Sequence, residues 1–394
     1  MDRHELNRMF DGLAPDPRRE RELLKKLLLQ EHTRRKQPMK NWRRIVIGVA
    51  AAALLVTGAA AAVVVPRLNQ RLLDYLNVEP ENSEAVAQAE DLLLPGTIAL
   101  DITKEDNGAV LHATQILRDR NIVMILAELT APEGTQLYMG PVDPPGVSTF
   151  KGFANGSDHA VDFLDEAGQP MGKDGMVASC GWGVLEDSDP LDNRVPLMFT
   201  LSPQMGENVS IWDAASLRVP AVDLAYYDLE QKREITVYTG DWSFEAPLPQ
   251  AETGWSMGIN QVIGELDGAT VTAGELYLSP ITFELTLRRE GGPDFGAPLD
   301  DAGEAAYGRW MSIGFNVRRI TLTTRDGERI PLELCNGGGG IDYNEKVVIH
   351  RLSRITDPAK FQGGTLTLEW DFTHNSRESG SATIPLDDLR PLAP

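Results

Sequence analysis

One serine of the sequence stands in a pattern typical of hydrolases. Residues 254–258 read G-W-S-M-G, which matches the nucleophile elbow, where a serine attacks an acyl group with the help of a histidine and a carboxylate. The elbow requires a strand that enters a sharp turn and a helix that leaves it. The residues after Ser256 alternate like another strand, so the pattern favours a glycine-flanked strand start over a catalytic serine.

The other chemically active side chains show no recognised pattern of a metal or phosphate site. The six histidines stand singly, without the spacing of a zinc site. Asp187, Asp189 and Asp192 supply oxygen ligands of the kind that calcium prefers, but their spacing is not that of a calcium loop. The glycine run at 337–340 lacks the Lys and Ser or Thr of a phosphate loop. We therefore expect no metal, no cofactor and no enzymatic activity.

The two cysteines, Cys180 and Cys335, are far apart and in no C-x-x-C pattern. They imply neither a disulfide framework nor a zinc site. A single bridge between them stays open, because a bridge requires Cα atoms within about 7 Å and the sequence does not fix that distance.

Charge is distributed unevenly along the 394 residues. The total is −21, yet residues 1–44 hold 13 Lys and Arg against 7 Asp and Glu, so that the rest of the chain carries −27. Nucleic-acid binding requires clustered Lys and Arg. We therefore expect the large acidic part to make no direct contact with nucleic acid.

Residues 45–65 form an uncharged apolar run in which Thr57 is the only hydrogen-bonding side chain. As a helix the run is about 32 Å long, close to the hydrocarbon thickness of about 30 Å. It is longer than the apolar core of a cleaved signal peptide. The run therefore predicts one transmembrane helix, a signal anchor that stays in the lipid bilayer.

The flanks of this run predict its orientation, because Lys and Arg are retained on the cytoplasmic side. Only Arg67 and Arg71 follow the run before the acidic stretch. The N-terminus is predicted to be cytoplasmic and the C-terminal bulk extracytoplasmic, in the cell membrane. The residues predicted to set this topology and anchor the chain precede the run: Arg34, Arg35, Lys36, Lys40, Trp42, Arg43 and Arg44.

Residues 1–44 are predicted to form a cytoplasmic tail of two short amphipathic helices, separated at Ala14 and Pro15. Such helices are too small for a core of their own, so their apolar faces require a partner. Two alternatives stay open: an interfacial helix at the membrane surface, or a helix bound in the groove of a cytoplasmic protein. The candidate contact residues are Phe10, Leu13, Leu23, Leu24, Leu27 and Leu28.

The region after the membrane run is predicted to be mainly β. Residues 66–95 are acidic and are interpreted as a stalk. From residue 96 on, segments such as 98–102, 281–287 and 366–372 alternate apolar and polar residues, as half-buried strands do. Asp326-Gly327 predicts a two-residue hairpin. Short strands without intervening helices favour two antiparallel, immunoglobulin-like β-sandwiches, at 96–248 and 249–394.

A weak internal repeat supports the prediction of two β-sandwich domains. Residues 108–113 (G-A-V-L-H-A) match residues 268–273 (G-A-T-V-T-A), an offset of about one domain length. After one gap, Ile122, Met124 and Leu126 then fall opposite Ile281, Phe283 and Leu285.

Three segments together resemble a known family: residues 10–17 (F-D-G-L-A-P-D-P), residues 40–45 (K-N-W-R-R-I) and residues 107–129. The chain is similar to single-pass, anti-sigma-factor-like membrane proteins of Gram-positive bacteria with an outer β domain, often followed by an immunoglobulin-like one. The resemblance implies that the tail binds an extracytoplasmic-function sigma factor, or a similar cytoplasmic regulatory protein, and that the outer domains sense an envelope signal through an unknown ligand. The zinc-binding anti-sigma signature is absent, so binding would depend on the Leu faces.

Two alternatives remain at the level of the sequence. In the first, the chain is an envelope binding or adhesion module, and the tail only fixes the topology. In the second, it is a membrane-anchored hydrolase that uses Ser256.

Overall fold

The computed structural model describes nine segments of the chain after residue 66. They are residues 67–140, 151–154, 161–171, 178–203, 213–311, 319–334, 344–352, 354–371 and 379–392. No helix among them combines the length and the apolar character needed to cross a membrane. The predicted tail (1–44) and membrane run (45–65) lie outside the described residues. The chain from residue 62 onward forms one compact unit.

The described residues are mainly β, as the alternating pattern predicts, and their sheets are antiparallel. The helices are α1 (Gln70–Tyr75), α2 (Ser83–Leu93) and α3 (Asp301–Met311), with short 3₁₀ turns at Leu94–Gly96 and Pro358–Phe361. The strands before residue 250 are β1 (Thr97–Asp106), β2 (Ala109–Arg118), β3 (Val123–Thr130), β4 (Lys151–Phe153), β5 (Asp162–Leu164), β6 (Ala178–Val184), β7 (Arg194–Pro203), β8 (Ser216–Val219), β9 (Val222–Asp228), β10 (Arg233–Asp241) and β11 (Phe244–Pro247). Those after it are β12 (Trp255–Leu266), β13 (Ala269–Leu278), β14 (Thr282–Gly291), β15 (Arg319–Thr323), β16 (Arg329–Leu334), β17 (Glu345–Leu352), β18 (Thr365–Asp371), β19 (Ser379–Pro385) and β20 (Arg390–Pro391).

The first β part, from β1 to β11, surrounds an aromatic core. Its largest sheet has the order β1-β2-β3-β7-β6, and two three-stranded sheets have the orders β10-β9-β4 and β11-β8-β5. Phe153 stacks on Phe199 with ring centroids 5.6 Å apart, and Phe244 meets Phe199 edge to face. Trp242 is fully buried, and its indole N–H donates to the carbonyl of Ala109, which satisfies the polar atom that its burial removes from water.

The second β part, from β12 to β20, is one nine-stranded sheet with the order β19-β18-β15-β16-β17-β14-β13-β12-β20. Strand β16 connects two portions of this sheet, because its first half pairs with β15 and its second half pairs with β17. Its buried residues, including Trp310 of α3, form a cluster separate from the core of the first part.

The internal repeat corresponds to two matching meanders, β1-β2-β3 and β12-β13-β14. Asn107-Gly108 and Asp267-Gly268 form their first turns with positive φ at both residues, as a type I′ hairpin requires. The second turns also correspond, because Arg118 pairs with Val123 and Leu278 with Phe283. The offset is therefore 160 residues throughout, and the one-residue gap inferred from sequence matching is wrong: the inward residue Val123 corresponds to Phe283.

The hairpin predicted at Asp326-Gly327 is present between β15 and β16, but its loop is longer than two residues. Thr323 pairs with Arg329, and the amide of Thr324 donates to the carbonyl of Glu328. Gly327 has a φ of +88°, which glycine adopts without the steric penalty of a Cβ atom. The strands were predicted correctly, and the turn type was not.

The segment 66–95 is not a stalk, as far as the structure describes it from residue 67 on. Helices α1 and α2 lie against the outer face of the five-stranded sheet, where Met124, Leu126 and Met198 cover one side of a third buried cluster. Leu72 and Leu73 of α1 are each only 2% exposed. The acidic side chains that indicated a stalk occupy the solvent side, while a few apolar residues fix the helices, an amphipathic pattern too short to stand out in an acidic stretch.

This packing predicts the effect of truncating Leu73. We expect Leu73→Ala to lower the free energy of unfolding of the folded part of the chain by about 2–5 kcal/mol, because a buried leucine loses its contacts and leaves a cavity. The control is Leu191→Ala, at a leucine 51% exposed, which should change it by less than about 0.5 kcal/mol. Urea unfolding followed by tryptophan fluorescence measures both. Equal, small effects would mean that the segment is a free stalk after all.

Candidate functional site

The site residues predicted in the tail and at the membrane boundary lie outside the described residues. This applies to Phe10, Leu13, Leu23, Leu24, Leu27, Leu28, Arg34, Arg35, Lys36, Lys40, Trp42, Arg43 and Arg44. Their roles stay predictions. Within the described residues, the strongest concentration of buried polar groups lies where the two β parts meet. We call this place the junction: the β2–β3 turn, residues 119–122, and the β13–β14 turn, residues 279–282.

The two turns of the junction are built in the same way. The side chain of Asp119 accepts hydrogen bonds from the amides of Asn121 and Ile122, at 2.7 and 2.8 Å. In the second turn the hydroxyl of Ser279 accepts from the amides of the corresponding residues, Ile281 and Thr282. Asp and Ser favour such turns because their short side chains bond to nearby backbone amides. Each meander of the repeat therefore ends in a turn stabilised by its first residue.

The two turns contact each other through the carboxyl group of Asp119. Its second oxygen accepts hydrogen bonds from the hydroxyls of Ser279 and Thr282, each at 2.6 Å. Asn121 donates from its side-chain amide to the hydroxyl of Thr282 at 3.3 Å. Asp119 is 1% exposed. One buried carboxyl group thus receives four hydrogen bonds and joins two turns that are 160 residues apart in sequence.

The protonation of Asp119 follows from two opposing effects. Burial raises the pKa of Asp119 above its usual value, because the ionised form is removed from water. The four hydrogen bonds counteract this rise, since they favour the charged form. The hydroxyl of Ser279 already accepts from two amides, so its hydrogen is directed to Asp119. The surrounding groups act as donors, which is the arrangement that a carboxylate requires.

A buried cation lies next to this carboxyl group in the sequence. Arg118 is fully buried, and its guanidinium donates to the carbonyl of Pro249 at 3.0 Å and to that of Ala214 at 3.4 Å. Burial lowers the pKa of Arg118 to about 10, against the opposite effect of Glu252 and Asp119. The group therefore stays charged at neutral pH. It fixes the segment that connects the two β parts to the end of β2.

A tyrosine and a carboxylate fix the other end of this connecting segment. The hydroxyl of Tyr277 donates to Glu252 at 3.1 Å and accepts from the backbone amide of Arg120 at 3.2 Å. Burial raises the pKa of Tyr277 well above its usual value, so the phenol keeps its proton. Gly254 is required here, because a Cβ atom at this position would lie 2.1 Å from the Tyr277 ring.

Arg120 extends the polar contact to the rim of the junction. Its guanidinium lies 3.5 Å from Glu275 and 3.9 Å from Glu284, and 5.3 Å from the centre of the Tyr277 ring. Burial raises the pKa of Glu284. Ion pairs with a partly exposed partner generally contribute little to stability. We therefore expect the buried contact of Asp119 to contribute more to the free energy of unfolding than the ion pairs of Arg120.

Helix α1 connects to both β parts through Tyr75. Its hydroxyl lies 3.4 Å from that of Thr200 in β7, and Arg351 of β17 stacks over the ring at 5.1 Å. The third buried cluster also includes Ile281 of the junction. The helices, the first β part and the second β part therefore meet in one continuous set of contacts. The central polar groups, Asp119, Ser279 and Thr282, are buried and bonded to one another, so the arrangement fixes the orientation of the two turns.

Ser256 does not lie in a nucleophile elbow. It is a residue of β12, paired with Tyr277 on one side and with Arg390 on the other. The strand continues to Leu266 and turns back through Asp267-Gly268 without entering a helix. The structure thus forms the strand start that the sequence favours.

The aspartates of the acidic cluster at 187–192 accept hydrogen bonds from nearby backbone amides. Asp187 accepts from the amide of Asp189, and Asp192 accepts from that of Arg194. Among the residues that the structure describes, no group of three or more His, Cys, Asp or Glu side chains is placed to hold a metal ion. Cys335 lies outside the described residues, so the bridge to Cys180 stays open.

The junction was not predicted from the sequence. Residues 118–121 read R-D-R-N, and such a charged group between two apolar segments indicates an exposed turn. The available signal was the repeat itself, because matching turns followed by matching apolar strands can meet in space. What the sequence does not show is that the partner of Asp119 lies in the second copy.

Comparisons with known proteins add little to this geometry. No protein-family model matches the chain, and no curated protein matches it. The crystal structure of the conserved domain protein from Bacillus anthracis is similar at 13% sequence identity, covering 75% of this chain and 92% of that chain, with a TM-score of 0.37. A likeness at this TM-score supports no conclusion about fold or function.

The junction predicts a large effect of removing Asp119. We expect Asp119→Ala to lower the free energy of unfolding by about 3 kcal/mol, because two hydroxyls and two amides lose their acceptor inside the protein. Asp165→Ala is the matched control. Asp165 also accepts from two backbone amides, of Ala167 and Gln169, but in an exposed turn, so its loss should cost about 1 kcal/mol. Equal losses in urea unfolding would contradict the special role of Asp119.

The raised pKa of Asp119 predicts a pH dependence with a definite sign. Below about pH 4, the pKa of an unfolded aspartate, the proton is bound in both states and the contribution of Asp119 to stability is greatest. It falls as the pH rises through the folded-state pKa, because ionisation is harder inside the protein. The free energy of unfolding of the native chain minus that of Asp119→Asn should therefore decrease from about pH 4 toward neutrality. A rising difference in urea titrations would overturn this assignment.

Proposed function

We propose that this chain is a single-pass membrane regulator, similar to anti-sigma factors and without enzymatic activity. Its cytoplasmic tail binds an extracytoplasmic-function sigma factor, and its outer β region senses an envelope signal. In this proposal residues 45–65 cross the cell membrane, with the N-terminus inside. The outer region then comprises two immunoglobulin-like sandwiches, 96–248 and 249–394, a division supported by the two separate core clusters.

The observation that carries the proposal is the packing of the helices that follow the predicted membrane helix. Leu68, Leu72 and Leu73 are buried in the cluster that also contains residues of both β parts. Gln115, 4% exposed, accepts from the amide of Asn69 at 3.0 Å. A segment held in this way transfers a displacement of the β region to the chain next to the membrane, whereas a flexible linker does not. A sensor requires such coupling between two sites.

The alternative is an envelope binding or adhesion module, in which the β region acts alone and the tail fixes topology. Such a module gains reach from a flexible or extended spacer between membrane and binding surface. Helices α1 and α2 pack on the sheet, so within the described residues they do not provide one. This observation favours the regulator.

The test is a pull-down from membranes with an affinity tag at the outer C-terminus. We expect a sigma factor to copurify with the intact chain and not with a chain that lacks residues 1–36, because the proposed contact residues lie there. Mass spectrometry of the eluate identifies the partner. If no cytoplasmic protein depends on the tail, the regulator proposal fails and the adhesion module remains.

Point substitutions in the tail test whether the leucine face makes the contact. Leu24→Asp and Leu27→Asp should each weaken sigma-factor binding by at least about tenfold, because each places a charge where the proposal puts a central apolar anchor, and losing such an anchor costs about 2 kcal/mol or more. Lys25→Asp and Lys26→Asp place the same side chain on the opposite helix face and should have a smaller effect. Loss of binding in all four variants would indicate a general charge effect in place of a leucine contact.

A further inference from the structure

A cleft opens between helix α1 and the end of strand β6. Its volume is about 450 Å³, within the range of about 300–1,000 Å³ that is typical of small-molecule sites. One wall is formed by α1. The floor is formed by β6, the residues after it and β7. Its lining includes Arg71, Asp74 and Tyr75 of α1, and Gly183, Glu186 and Met198 on the opposite side.

The floor of the cleft is open because of a glycine. Gly183 of β6 pairs with Met198 of β7, and a Cβ atom built on Gly183 would have no atom within 4 Å. The φ of Gly183 is not positive, so the backbone does not require glycine here. Met198 of the third buried cluster and Leu185, which packs against that cluster, make the surrounding surface apolar. A larger residue would fill this space, and its absence leaves room for a ligand.

The polar rim of the cleft carries negative charge. Arg71 is the cation of the lining, and it pairs with Glu128 at 2.8 Å. Asp74 and Glu186 have no cationic partner among the described residues. Arg351 stacks over the ring of Tyr75 but is not a lining residue. Within the described part of the chain, these two carboxylates thus lie above an apolar floor without a paired cation, and they attract positive charge.

We propose that this cleft binds a small ligand with an apolar body and one amine or other cationic group. The apolar body lies on the floor made by Gly183, Leu185 and Met198, where its burial removes apolar surface from water. The cationic group lies at the rim, near Asp74 and Glu186. Nothing in this binding requires a covalent step.

The position of the cleft deepens the proposed function and in this respect depends on it. Tyr75 lines the cleft and also contacts Thr200 and Arg351, one from each β part. A ligand against Tyr75 therefore acts on the helix that follows the predicted membrane segment. In the regulator, this cleft is the site where the outer ligand shifts the equilibrium between signalling states.

The experiment measures binding of three matched probes to the full-length chain in detergent: phenylethylamine, phenylethanol and phenylpropanoate. Saturation-transfer NMR and calorimetry report on binding. We expect saturable binding of the amine, binding of the alcohol about tenfold weaker, and weaker binding still of the carboxylate, because the rim attracts cations. Equal binding of the three probes, or none that saturates, would overturn the proposal.

Variants locate the binding. Gly183→Leu should remove it, because the side chain fills the floor. Gly308→Leu is the matched control, since a Cβ atom there also meets nothing within 4 Å and the residue lies in α3, outside the cleft. The double variant Asp74→Asn, Glu186→Gln leaves the floor unchanged and should remove the preference for the amine. Retained amine binding in Gly183→Leu would place the site elsewhere.

The outcome is independent of the sigma-factor test. Probe binding is measured without any partner protein, so a failed pull-down leaves it intact. Failure of the probes to bind would equally leave the pull-down result unchanged.

Discussion

The arrangement of the two β parts and the helices depends on one buried carboxyl group. Asp119 directly follows the second strand of the first meander. It accepts hydrogen bonds from the hydroxyls of Ser279 and Thr282, at the second turn of the other meander. A carboxylate in the interior is costly unless donors surround it, so the two turns tolerate little displacement. Their orientation in turn places Ile281 in the cluster under the helices. The β parts and the helices are thus positioned by the same contact.

The surrounding charges show why this contact is selective. Arg118 of the first β part and Tyr277 of the second both contact the connecting segment. Glu252 of that segment raises the pKa of each of them. Each of these side chains has a defined partner on the backbone or on Tyr277. Buried networks of this kind are favourable only if their members are satisfied, and they then favour one geometry over its neighbours.

The sequence predicts the β class and the main strands, because the alternation of apolar and polar residues is a local pattern. The one turn type that it predicts, the two-residue hairpin at Asp326-Gly327, is wrong. It fails where the deciding contact is distant. Residues 66–95 are too acidic for their few inward leucines to be noticed, so the segment was interpreted as a stalk. Asp119 lies in a stretch with the composition of an exposed turn, and its partners are 160 residues away. The one-residue gap in the repeat is an error of register. The pairing of the strands reveals this error, whereas the match of the two sequences does not.

The two matching turns differ at the residue that begins each of them, Asp119 in one and Ser279 in the other. Two aspartates facing each other would repel, and two serines would provide no charge to hold the donors. The contact therefore forms only between unlike halves. A first meander cannot pair in this way with the first meander of another molecule. The chemical difference between the copies thus protects the chain against symmetric self-association through its own repeat.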